Sequence, residues 1–150
     1  EDLDAPHIVE HVHDVRTWPD QRLGVVCQST ARPDVVEAVL AAIRAQNPAA
    51  DLAFADTVCS PTRARGLALE ALLPRVDALV VVGGGDSNNT RQLAERGRLH
   101  GVPTVHVERA DELDPAWFAD RRVVGLTAGT STLPATIDAV HARLQTFAGR

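Results

Sequence analysis

The chain has 150 residues, 45% of them hydrophobic and 23% charged, a balance that excludes a disordered segment and fits a globular α/β protein. Its formal charge of −5 argues against a general nucleic-acid binder, which needs a basic face to neutralise phosphates. No apolar run approaches the roughly 20 residues of a membrane span, so no membrane partner is expected.

Short apolar runs alternate with helical periods along the chain. His7-Ile8-Val9-Glu10 reads as a weak strand, with a short helical stretch ending near Trp18-Pro19. Leu23-Gly24-Val25-Val26-Cys27 is a stronger strand. Pro33 then opens a helix with Val35, Val36, Val39, Leu40 and Ile43 at helical spacing and Asn47-Pro48 as its stop. Asp51 to Ala55 is a strand running into Asp56-Thr57-Val58-Cys59, and Pro61 begins a helix through Leu67, Leu69, Leu72 and Leu73 that Pro74 closes.

Val76 to Val82 is a continuous apolar strand, the pattern of burial on both faces. The helix after Ser87 ends near His100-Gly101. Thr104 to Val107 is the next strand, Pro115 to Phe118 a helical turn, and Val123 to Leu126 another strand. A final amphipathic helix carries Ile137, Val140, Leu144 and Phe147. Repeated strand–loop–helix units predict an α/β fold of two small Rossmann-like lobes, their mostly parallel sheets flanked by helices. The first lobe is expected over 1–75, including the Cys59 loop, and the second over 76–150, with the final helix free to pack back on the first.

In such sheets ligands bind at the carboxyl ends of strands, and here the polar residues collect. Gln28-Ser29-Thr30, Gly85 to Thr90 and Thr127 to Thr132 each follow a strand, and Cys59 stands at a fourth strand end. The most telling stretch is Val80 to Thr90, where an apolar strand stops at Gly83-Gly84-Gly85 and restarts at Asp86-Ser87-Asn88-Asn89-Thr90. A helix beginning there offers N–H groups without partners and the positive end of its dipole, which suits a phosphate or diphosphate.

These loops resemble those of one family, the hydroxymethylbutenyl diphosphate reductases, or LytB proteins, of bacterial isoprenoid synthesis. The second half of that family carries a Gln-Thr-Thr loop, an Asp-x-Ile-Cys-x-x-Thr segment, a Gly-x-x-Asn-Ser-Ser-Asn loop and a Gly-x-Thr-Ala-Gly-Ala-Ser loop. In the same order this chain reads Gln28-Ser29-Thr30, Asp56 to Thr62 with Cys59 inside, Gly83 to Asn89, and Gly125 to Ser131. The resemblance implies a [4Fe-4S] enzyme that reductively removes the hydroxyl of an allylic diphosphate, giving isopentenyl and dimethylallyl diphosphate. It implies an electron donor of ferredoxin or flavodoxin type and a cytoplasmic location. Residue by residue, Cys59 matches one of three cysteine ligands of the cluster. Ser87, Asn88, Asn89 and Ser131 match diphosphate-binding positions. Ser29 and Thr30 match positions beside the substrate hydroxyl, and Thr62 one beside the cluster cysteine.

The chain departs from the family at Asp86 and Asn88, where the family has Asn and Ser, and at Ala64-Arg65-Gly66, where it has Asn-Arg-Gln. A start at Glu1 with no methionine reads as the downstream part of a longer product, or a processed one. The family's first domain supplies two further cysteines, substrate-contacting histidines and an acidic proton donor. None of these can be placed in this chain, which alone is expected to be inactive. The alternative is a cluster-less diphosphate-binding module, or a divergent paralogue with another phosphorylated ligand. A generic nucleotide-binding domain ranks last, for want of G-x-G-x-x-G after the first strand or a G-K-[ST] loop. Cys27, inside an apolar run, is expected in the core. The His7, His11 and His13 spacing is read as a solvated edge, Asp111 to Asp114 as a helix start, and Arg63 and Arg65 as either phosphate-facing or solvated.

Overall fold

Every strand pairing among the described residues is parallel, and the five strands are accompanied by four α-helices, with only 3-10 turns between the last two strands. The structure, a computed structural model, describes residues 6–19 and 22–148. Its contacts divide it into two units, 1–58 and 59–150.

In the first unit β1 (Arg22–Val26) pairs with β2 (Asp51–Ala55), Arg22 opposite Asp51 and Val26 opposite Ala55. Successive strand residues point to opposite faces. Leu23, Val25 and Leu52 face α1 (Pro33–Gln46) and pack with its Val35, Val39 and Ile43. The other face, Arg22, Gly24, Val26, Asp51, Ala53 and Ala55, is exposed. Pro33 starts α1 at a position where its missing N–H is no loss. Asn47 ends the helix, and its buried side chain donates to the carbonyls of Ile43 and Arg16 and accepts from the Trp18 N–H. That ties the segment before β1 to the end of α1.

Two expectations fail in this unit. Residues 6–10 form no strand: Ile8 is 82% exposed and only Val9 reaches the core, so the run has no continuous apolar face to bury. A one-turn 3-10 helix, Val12–Asp14, follows, its entry held by the Asp14 carboxylate on the N–H groups of Glu10 and His11. Nor is Cys27 a core residue. It stands just past β1, half-buried, with its sulfur accepting from the Thr57 N–H at 3.4 Å and facing Asp56 at 3.8 Å.

The second unit is built around β3 (Ala78–Val82), all five residues of which are buried. It lies between β4 (Thr104–Val107) and β5 (Val124–Ala128) in the order β4-β3-β5. Alternate residues serve opposite faces. Leu79 and Val81 pack with Leu69 and Leu73 at the end of α2 (Ser60–Leu72) and with Leu93 and Ala94 of α3 (Asn88–Leu99). Val80 and Val82 pack with Val107, Phe118 and Val140 of α4 (Pro134–Gln145). The continuous apolar run thus has its physical reason in helices on both faces.

The fold is the expected α/β one, with parallel sheets flanked by helices, but its division differs. The leucines of α2 are buried against β3 and α3, so that helix belongs to the second unit and the boundary falls between Val58 and Cys59 rather than near 75. The final helix buries Val140 on its own unit's sheet.

Candidate functional site

The parallel pairing of β3 and β5 sends their carboxyl ends the same way, Val82 opposite Ala128. Their loops meet there. The Gly129 N–H donates to the Val82 carbonyl at 2.9 Å, and the Thr132 hydroxyl donates to the same oxygen at 3.0 Å. Thr90, on α3's first turn, is fully buried beneath both loops. A Cβ on Gly129 would lie 2.3 Å from the Thr90 hydroxyl oxygen, and one on Gly83 would lie 2.7 Å from the hydroxyls of Thr90 and Thr132. Gly83 also has φ +148, a conformation that side chains disfavour. Glycine is therefore required at both positions for the loops to close on Thr90.

Ser87 is the N-cap of α3, its hydroxyl accepting from the Thr90 N–H at 3.3 Å. Asn88 and Asn89 are the first helical residues. Asn89 is 4% exposed, and its Nδ2 has no hydrogen-bond partner among the described residues; neither does the Thr90 hydroxyl. A buried amide left unpaired costs roughly 1–3 kcal/mol, so such groups mark places where something else is accommodated. At the start of a 12-residue helix, whose dipole favours negative charge, they make a site suited to an anion. Ser131 is exposed on the facing loop, and Asp86 is exposed at the tip of the glycine loop.

Cys59 immediately precedes α2. The Thr62 hydroxyl, 3.0 Å from its sulfur, holds the thiol below its ordinary range, with help from the Thr62 N–H and the Arg65 charge. A thiolate is thus favoured there. Arg65, one turn further on, donates through Nε to the Ala128 carbonyl at 3.0 Å, so α2 is fastened to the end of β5.

Of the residues singled out in the sequence, Ser87, Asn88 and Asn89 share one helix start, and Ser131 lies on the loop that closes against it. Cys59 and Thr62 form a contacting pair at the start of α2. Ser29 and Thr30 lie in the turn after β1, closed by the Ala31 N–H on the Gln28 carbonyl at 2.8 Å, and belong to the first unit. Nothing in the sequence pattern marks Thr90 and Thr132 as the contact between loops, or Arg65 as a tie to β5. A threonine in an apolar–polar boundary carries no signal until its neighbours are known.

A [4Fe-4S] cluster takes about three or four thiolates. Cys59 offers one, and no group of three or more His, Cys, Asp or Glu that could hold a metal exists among the described residues. The residues described here do not by themselves fit the cluster.

Comparison with known proteins bears on the chain as a whole. The family model described as LytB protein matches residues 2–145. The 4-hydroxy-3-methylbut-2-enyl diphosphate reductase of Aromatoleum aromaticum is 38% identical over 145 residues, 95% of this chain and 46% of that enzyme. The enzyme of the same name from Desulfovibrio desulfuricans is 47% identical over 91 residues, 61% of this chain and 32% of its own length. Among solved structures, the E-1-hydroxy-2-methyl-but-2-enyl-4-diphosphate reductase from Plasmodium falciparum superposes with a TM-score of 0.84 at 25% identity, over 93% of this chain and 45% of that one. The chain spans under half the length of these relatives.

Proposed function

The chain belongs to the LytB protein family, and we propose that it is the diphosphate-holding part of a 4-hydroxy-3-methylbut-2-enyl diphosphate reductase, an oxidoreductase of isoprenoid biosynthesis. The reaction replaces the allylic C–O bond by C–H, consuming two electrons and two protons and releasing water. The observation that carries the reading is the buried, unpaired Asn89 amide at a Ser87-capped helix start, closed over by the loop that bears Ser131.

In this reading the chain's residues bind and orient. The N–H groups of α3's first turn, the Asn89 and Asn88 amides and the Ser87 and Ser131 hydroxyls take the diphosphate oxygens, which accept strongly from such donors. Cys59, whose thiolate Thr62 favours, is one cluster ligand, and Ser29 and Thr30 are near the substrate hydroxyl. The remaining ligands and the proton donor belong to no residue described here. An electron donor of ferredoxin or flavodoxin type and a cytoplasmic setting complete the proposal. Among the described residues, no helix is long and apolar enough to cross a membrane.

The single thiol at Cys59 also favours a second reading, a cluster-less module that binds a diphosphate. The two separate on expressing the whole gene anaerobically. The reductase reading expects cluster absorbance and turnover of the allylic diphosphate, both lost in Cys59→Ser. Cluster and turnover that survive this change contradict the role of Cys59, and a product that never binds a cluster favours the module.

A further inference from the structure

His106 and Glu108, at the end of β4, both close on the glycine loop. They are two residues apart on an extended stretch, so their side chains leave it on the same side. His106 lies opposite Val81 and Val107 opposite Val82, which brings both side chains level with the chain just beyond β3. There His106 Nε2 lies 2.7 Å from the Gly83 carbonyl oxygen. A carbonyl only accepts, so the imidazole donates. The Glu108 carboxylate accepts from the Gly85 N–H. One side chain therefore holds a carbonyl and the other an N–H, two residues apart in a run of three glycines.

Glycine has the widest backbone freedom of any residue, and three in succession leave a loop with many shapes to lose on binding. Fixing such a loop in advance strengthens binding without adding a contact to the ligand. We propose that His106 and Glu108 are positioning residues that hold Gly83–Gly85 in the shape that places the start of α3 before the diphosphate arrives, a role that rests on the reading of that helix start given above. The arrangement also apportions donors. Glu108 occupies the Gly85 N–H, so the ligand is left the first turn of α3 and the Asn89 amide. The loop sets where that helix begins and is not itself the cradle.

The test uses the 150-residue chain, amide hydrogen exchange across Gly83–Asp86, and calorimetric titration with inorganic diphosphate. His106→Leu and Glu108→Ala are expected to speed exchange of these amides by roughly tenfold and to weaken inorganic diphosphate by a similar factor, the effect of losing one such hydrogen bond. His106→Gln keeps a donor and Glu108→Gln an acceptor, and both are expected to recover most of the loss. Loss of packing alone would show no such rescue. Exchange in β3 reports whether the variants stay folded. Unchanged exchange in His106→Leu and Glu108→Ala overturns the proposal, as does faster exchange with unchanged affinity. Wild-type protein that does not bind inorganic diphosphate, while the variants still loosen the loop, overturns the diphosphate reading itself and with it the purpose of the positioning. The two failures thus appear in different measurements.

Discussion

The two units hold their strands in different ways. β3 is buried on both faces between helices, whereas the β1–β2 pair has one face against α1 and the other exposed, with Val26 at 74% exposure. The loops of the proposed anion site grow from the doubly covered sheet, where the backbones of Gly83 and Gly129 pack closely on the side chains of Thr90 and Thr132. The Gln28-Ser29-Thr30 turn grows from the singly covered one. A site that needs atoms placed to fractions of an ångström is better carried by a sheet packed from both sides.

The largest expected effect sharpens this contrast directly. Leu79→Ala removes a fully buried side chain from β3 and is expected to destabilise the second unit by about 3 kcal/mol, whereas Leu23→Ala in the half-buried β1 should cost about 1 kcal/mol. The chain's two tryptophans report the units separately, since Trp18 packs in the first core and Trp117 in the second. In single-tryptophan variants the Trp18 transition is expected at lower denaturant. Coincident transitions, with equal costs for the two substitutions, break the comparison.

Next in size is Gly129→Ala. Its Cβ would meet the Thr90 hydroxyl at 2.3 Å, inside any normal contact. Overpacking of this kind costs about 1–3 kcal/mol, and Thr90→Ala in the same chain should return most of it. Denaturant midpoints of the single and double variants check this, and simple additivity contradicts the loop contact. Asn89→Ala follows, with inorganic diphosphate expected to bind about tenfold more weakly and stability little changed, because the Asn89 Nδ2 has no partner to lose among the described residues.

A smaller effect concerns Cys59. Its thiol is held below the ordinary range chiefly by the Thr62 hydroxyl. The thiolate's contacts therefore contribute stability at high pH that is lost as pH falls through the folded-state value. Site-resolved iodoacetamide labelling should rise at a lower pH than for an ordinary thiol, and Thr62→Val should move that rise upward. A profile that does not move contradicts the hydrogen bond. Smallest of all is Glu70→Ala, which removes a partly exposed ion pair to Arg96 at 3.2 Å and should cost under about 1 kcal/mol, less at high salt.

Much of this molecule was legible in its sequence because the signals are local. Pro33 and Asn47 bound α1, the unbroken apolar run of β3 announces two covered faces, and Gly101, at φ +74, marks the end of α3. The Gly83–Thr90 loop could likewise be read from strand, glycines and cap. What could not be read joins residues far apart in the chain. Arg65 reaches Ala128, His106 and Glu108 reach back to the glycine loop, and the leucines of α2 choose β3 over the preceding sheet. The Ile8-Val9 run misled because two adjacent apolar residues do not define one buried face, and only Val9 packs in the core while Ile8 is exposed. Cys27 misled because the apolar run ends one residue before it.

A diphosphate site at the start of α3 can be sought in an amide spectrum of the 150-residue chain titrated with inorganic diphosphate. Saturable shifts are expected at Ser87–Arg91 and Gly129–Thr132, with saturation in Asn89→Ala needing about tenfold more inorganic diphosphate, and with Ser29 and Thr30 unmoved because inorganic diphosphate has no allylic hydroxyl. Shifts that never saturate, or that spread over surface arginines and leave Asn89 and Thr90 in place, would contradict such a site.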